Sequence, residues 1–174
     1  MDDIRYPVGP CVWPTEVSAD ERRRHIRDIA EMPLKLREAV AGQAPQDMDI
    51  PYREGGWTIR QIVHHLPDSH MNSYIRFKLA LTENEPTIKP YDEAACAELN
   101  EARTAPLEVS LDLIDALHRR WVMMLEDMQP ADFERTLRHP EIGVLTLKSL
   151  LGGYGWHCRH HVAQILATRK RMGW

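Results

Sequence analysis

Apolar residues recur at helical intervals in four long stretches of this chain. In the first, Ile26, Ile29, Leu34, Leu36 and Val40 follow Ser18-Ala19-Asp20-Glu21, where Ser18 and Glu21 have the spacing of a reciprocal N-terminal cap. Pro33 falls inside this helix and predicts a kink, and Gly42 marks its end. Residues 45–56 read as a long loop closing on Gly55-Gly56. Thr58 and Gln61 then repeat the capping pattern, and Val63, Leu66, His70, Tyr74, Phe77 and Leu81 form one stripe of a second helix. Pro67 leaves the Val63 carbonyl without its helical partner and predicts a bend beside His65. Pro86 and Pro90 mark another loop, and residues 91–102 read as a shorter helix. Residues 107–128 form a long one, with Leu111, Ile114, Leu117, Trp121, Met124, Leu125 and Met128 turned inward. A helical turn at 130–133 and a small β-hairpin over 136–145, its turn near 140–143, precede a last helix. Thr146 caps that helix, which runs to Arg171 with basic residues at its end, where they suit the helix dipole. Residues 1–17 carry three prolines and no helical period, and predict an extended arm across the surface or over a site. Four long helices and little strand predict an all-α four-helix bundle with a small β-hairpin before the last helix, and 174 residues suit a single domain.

Composition narrows the function. A formal net charge of −4 carries no electrostatic footprint for a nucleic-acid partner. No apolar run approaches the roughly 20 residues of a membrane span, so no membrane partner is expected. The opening Met1-Asp2-Asp3-Ile4-Arg5 is acidic and lacks the apolar core of a secretory signal. Cys11, Cys96 and Cys158 are few, odd in number and widely spaced, which argues against a disulfide framework and for a reducing cytoplasm.

The last helix carries Tyr154-Gly155-Trp156-His157-Cys158-Arg159-His160-His161-Val162-Ala163-Gln164. His157 and His161, four apart, leave the same helix face about one turn from each other, a spacing at which two neutral imidazoles can bind one divalent ion. Gln164 shares that face. Val63-His64-His65-Leu66 on the second helix offers a third imidazole, and His65, Ser69, Asn72 and Arg76 stack there as a polar stripe beside the apolar one. Facing stripes of this kind predict a wet, inward cavity. His64 and His160 stand as alternatives for the first and third places, with outer contacts or solvent-facing positions as their other roles. His70 sits on the apolar stripe and reads as a core or near-site residue. His25, His118 and His139 have no partners in sequence and receive no role. Asp68 can accept a hydrogen bond from a ligand imidazole, or be a solvated helix charge. Arg76 can hold a substrate carboxylate through a bidentate pair, or bridge to an acidic residue of a neighbouring helix. Tyr154, one turn before His157, lines the pocket or simply packs. Cys158 lies about 100° around the helix from His157 and reads as buried and inert.

The run Pro51-Tyr52-Arg53-Glu54-Gly55-Gly56-Trp57-Thr58-Ile59-Arg60-Gln61-Ile62-Val63-His64-His65-Leu66-Pro67-Asp68-Ser69-His70-Met71-Asn72-Ser73-Tyr74-Ile75-Arg76-Phe77-Lys78, with the histidine-rich segment around His157, resembles the YfiT proteins of the DinB/YfiT-like superfamily. The resemblance extends from Tyr6-Pro7-Val8-Gly9 to Arg171-Met172-Gly173-Trp174. It implies a four-helix bundle, a homodimer, and one divalent metal ion held by three histidines, which by position are His65, His157 and His161. Some relatives carry a histidine where this chain has Gln164, and a glutamine there is common in the wider superfamily. Pro67 departs from the family's helix. The family includes proteins described as metal-dependent hydrolases and, among close relatives, BstA-like bacillithiol S-transferases. Three neutral imidazoles leave a divalent ion its full charge, which eases loss of a proton from a water or a thiol at its open side. The implied activity is S-transfer, in which a low-molecular-weight thiol such as bacillithiol attacks an electrophilic small molecule. The alternative is hydrolysis of an amide or ester. Zinc is the expected ion for either non-redox reaction, and nickel also suits three imidazoles. No G-x-S-x-G nucleophile motif is present.

Overall fold

Two reciprocal caps open the first two long helices. In a computed structural model describing residues 4–174, the Glu21 backbone N–H donates to the Ser18 hydroxyl while the Glu21 carboxylate accepts from the Ser18 backbone N–H. Thr58 and Gln61 repeat this arrangement. Helix α1 spans Ala19–Val40 and α2 spans Ile59–Thr82, each continuous through its internal proline. The expected loop after α1 contains a 3-10 turn, Pro45–Asp49, whose proline opens it where no backbone donor is needed.

Residues 91–102 do not form the single short helix that their composition suggests. They fold as two separate turns, α3 (Glu93–Ala97) and α4 (Asn100–Thr104). The Asp92 side chain caps α3, and extended backbone at Leu99, with φ −61° and ψ 148°, breaks the run. Helix α5 (Leu107–Asp127) follows, then a 3-10 turn at Pro130–Glu134. Strands β1 (Thr136–His139) and β2 (Gly143–Thr146) form an antiparallel hairpin. Helix α6 (Leu147–Met172) starts at the Thr146 cap and ends at Gly173, whose φ of +77° closes the helix in the left-handed region glycine adopts freely.

The four long helices close a ring in which α1 packs on α5 and α6, and α2 packs on the same two. Ile29, Leu36, Ile62, Leu66, Phe77, Ile114, Trp121 and Ile165 fill its centre. Packing α2 beside α6 brings the two histidine-bearing faces together. The hairpin is tied back to the end of α2, where Ile88 N–H donates to the Arg138 carbonyl and Arg138 N–H donates to the Pro86 carbonyl. No helix among the described residues is long and apolar enough to cross a membrane.

The N-terminal arm is described from Ile4 onward; Met1, Asp2 and Asp3, which open the acidic segment read as lacking a signal sequence, lie outside the described residues. The arm crosses α6. Trp156 donates its indole N–H to the Gly9 carbonyl at 3.0 Å, and Gln164 donates its amide N–H to the Arg5 carbonyl at 3.1 Å. Close approach of the arm requires Gly153: a Cβ there would overlap the Trp13 indole. All three cysteines are free.

Candidate metal centre

Three imidazoles converge where α2 faces α6. His65, His157 and His161 each offer a ring nitrogen, and the three atoms all lie within 4.8 Å of one another. His157 Nε2 is 3.3 Å from His65 Nε2 and 3.2 Å from His161 Nε2. The trio opens on a cavity of about 800 Å³. Burial, with nearby imidazoles adding to it, favours the neutral form of each. His65 is pushed down to about 4 by desolvation and then by His160. His157 falls well below the usual histidine value through burial and then His161, and His161 does so through burial and then His65. Neutral imidazole is the form that ligates metal.

Each ring on α6 is tethered from behind. His161 Nδ1 is 2.8 Å from Gln164 Oε1. Because the Arg5 carbonyl can only accept, the Gln164 amide nitrogen faces Arg5 and its oxygen faces His161. His161 therefore carries its hydrogen on Nδ1 and presents a lone pair at Nε2 toward the centre. His157 Nδ1 is 2.9 Å from His70 Nε2, and His70 Nδ1 is 2.7 Å from His118 Nε2. His118 Nδ1 in turn lies 2.6 Å from the Ile29 carbonyl oxygen. Trp57 covers His65, with ring centroids 4.7 Å apart.

The neighbours expected from the helical stripes divide. Ser69, Arg76 and Tyr154 line the cavity. Tyr154 donates its hydroxyl hydrogen to the Ser69 carbonyl at 3.1 Å, bridging α6 to α2, and burial raises its phenol pKa. Arg76 makes no ion pair among the described residues; its guanidinium reaches only the Lys89 carbonyl, at 3.4 Å. Asp68 does not line the cavity. The pKa of its carboxyl is raised by partial burial and then by Glu101, against a smaller lowering by His64. Asn72 turns away from the cavity and donates to the Asp68 carbonyl at 2.9 Å, the helix's own backbone one turn back.

The alternative histidines have other engagements. His64 Nε2 donates to the Ala105 carbonyl at 3.1 Å and Nδ1 lies 2.7 Å from the Ser110 hydroxyl, so both nitrogens are used in holding α2 to α5 and the segment before it. His160 lines the cavity but stacks on Trp156, centroids 4.3 Å apart, outside the convergent trio. Cys158 is buried, which pushes its thiol pKa up.

Several residues near the centre were not picked out from the sequence. His118, unassigned from sequence, stands one turn from Ile114 and Trp121 on the inward stripe of α5; a histidine at an apolar stripe position was the available clue. Pro33 supplies a second. It has no N–H to give the Ile29 carbonyl four residues earlier, and that oxygen accepts from His118 instead. Cys11, Trp13, Trp57, Tyr91 and His139 also line the cavity, drawn from the arm, the loops and the hairpin.

These features define an all-α bundle with three neutral histidines gathered on two adjacent helices, a donor set suited to a single divalent ion. Residues 29–165 match the DinB superfamily, and the chain belongs to it. It is 47% identical over its full length to the full length of a Bacillus mycoides protein named "Putative metal-dependent hydrolase", and equally so to one of that name from Bacillus cereus strain B4264. It is similar to the solved structure of YfiT from Bacillus subtilis, described as a probable metal-dependent hydrolase with an unusual four-helix bundle topology. The TM-score is 0.95, with 45% identity and 99% of each chain covered.

Proposed function

We propose that this protein is a metal-dependent enzyme whose single divalent ion, zinc by its chemistry, is held by His65, His157 and His161. The observation carrying this reading is the convergence of three ring nitrogens within 4.8 Å on imidazoles that burial keeps neutral. A divalent ion with three neutral ligands and an open side supplies Lewis acidity, lowering the pKa of a thiol or a water.

For the reaction we favour S-transfer from a low-molecular-weight thiol such as bacillithiol to an electrophilic small molecule. The ligand imidazoles on α6 are backed by His70 and Gln164, and no carboxylate contacts the trio among the described residues. A thiol deprotonated outright needs no general base, whereas an attacking water is commonly assisted by one. The cavity is lined by Trp13, Trp57 and Tyr91, which suit an apolar electrophile. Arg76, without an ion pair among the described residues, suits a carboxylate on either reactant. Tyr154 and Ser69, joined by their hydrogen bond, hold the cavity floor between α2 and α6.

Hydrolysis of an amide or ester is the second reading. The names of the relatives favour it, and so does Glu93 at the cavity wall, an acidic group from which a proton can be exchanged. Zinc-loaded protein incubated with bacillithiol and a halogenated arene tests the choice. S-transfer predicts conjugate formation and halide release above the uncatalysed rate, lost in His157→Ala. Cleavage of chromogenic esters or amides without conjugate formation would establish the hydrolase reading instead.

A further inference from the structure

We infer that His118, which does not touch the convergent trio, is a positioning residue: acting through His70, it fixes His157 in the tautomer whose Nε2 lone pair faces the metal. This rests on reading His65, His157 and His161 as metal ligands.

The argument begins at the Ile29 carbonyl. A carbonyl oxygen only accepts, so His118 Nδ1, 2.6 Å away, must carry a hydrogen. A neutral imidazole has one N–H, so His118 Nε2 is an acceptor and the hydrogen of the 2.7 Å contact belongs to His70 Nδ1. His70 Nε2 then accepts at 2.9 Å from His157 Nδ1. The hydrogen of His157 is thereby placed on the side away from the centre, and its Nε2 is left bare. Gln164, anchored on the Arg5 carbonyl, does the same for His161.

Two bare acceptor nitrogens consequently stand 3.2 Å apart, His157 Nε2 against His161 Nε2. They cannot hydrogen-bond each other, and a cation lying against both would relieve the repulsion of their lone pairs. Two independent tethers, each ending on a backbone carbonyl, impose this arrangement. Pro33 belongs to the first tether because it leaves the Ile29 carbonyl free of its α-helical partner. Without His118, the His70 Nδ1–H loses its acceptor. His70 can then move its hydrogen to Nε2 and donate to His157 Nδ1, which drives the His157 hydrogen to Nε2, where it blocks ligation. Outer-shell partners of ligating histidines are commonly worth about 10- to 100-fold in metal affinity.

The test combines a tautomer readout on the metal-free, ¹⁵N-histidine-labelled full chain with zinc titration against a chromophoric chelator. Long-range ¹H–¹⁵N NMR is expected to show His118, His70 and His157 all protonated at Nδ1. His118→Leu is expected to shift His157 toward the Nε2–H form and weaken zinc binding about 10- to 100-fold. His118→Gln, which keeps a donor for Ile29 and an acceptor for His70, is expected to restore most of both. Unchanged His157 tautomer in a folded His118→Leu overturns the inference, and so does an equal affinity loss in both variants with no tautomer change. If His118→Leu does not fold, the wild-type spectrum decides, since His157 protonated at Nε2 there overturns it. Failure of the wild-type chain to bind zinc would refute the ligand reading separately.

Discussion

At the scale of the residue, the centre depends on which nitrogen of each imidazole is bare. Gln164→Leu leaves the His161 Nδ1–H without its acceptor and frees the ring to turn; zinc affinity should fall by about one to two orders of magnitude in a chelator competition, with the fold retained. Neutrality has a pH signature of its own. His118 is pushed down to about 4 by burial from a usual value of 6.5. Below about pH 6.5 an unfolded chain takes up protons that the folded chain refuses, so the metal-free protein loses stability as pH falls from there toward about 4. The loss approaches about 1.4 kcal/mol per pH unit for each such histidine, and none of it arises above 6.5. Urea melts of the metal-free protein between pH 4 and 8 should show this one-sided decline; a flat profile would mean these histidines are not held neutral. The pair His157 and His161 was legible from its i, i+4 spacing. His65 was distinguished from His64 only by resemblance, because one residue is about 100° of helix and the sequence does not state how α2 is rotated against α6. The link from His64 to Ala105 makes that rotation visible.

At the scale of the element, the caps and apolar periods marked the long helices closely, since both are local. The division of residues 91–102 into α3 and α4 was not legible: each is a single turn held by contacts with α2 rather than by a period of its own. The same holds for the roles of Asp68 and Asn72. Asn72 shares the helical stripe of His65 and Asp68 follows His65 by three residues, yet Asn72 donates to the backbone of α2 and neither residue lines the cavity. The arm was read as extended across a surface or over a site, and its register on α6 is fixed by the Trp156 and Gln164 hydrogen bonds together with the close approach that Gly153 allows. Gly153→Val sets a branched side chain against the Trp13 indole and should displace the arm, costing about 1–3 kcal/mol. Faster proteolysis within residues 4–17 and a red-shifted tryptophan emission would report it; unchanged cleavage would show that the arm does not depend on this contact.

At the scale of the whole molecule, a ring of four helices brings α2 and α6 side by side, and arm, loops and hairpin wall the cavity above the three imidazoles. The four long helices and the hairpin were legible in the sequence. The order of helices around the ring and the makeup of the cavity wall were not, because both come from packing between segments far apart in the chain. On the proposed ligand set, drawn from two helices, a bound ion would bridge them and favour the folded state. Zinc at about 100 times its dissociation constant should therefore stabilise the protein by about 2.7 kcal/mol, an increment absent in His161→Ala. The central claim is that His65, His157 and His161 hold one ion together, and anomalous diffraction at the zinc edge from zinc-loaded crystals tests it most directly. The account predicts one strong peak roughly 2.0–2.1 Å from the Nε2 atoms of all three histidines. A zinc-loaded crystal with no peak there, or with its peak on other side chains, would contradict it.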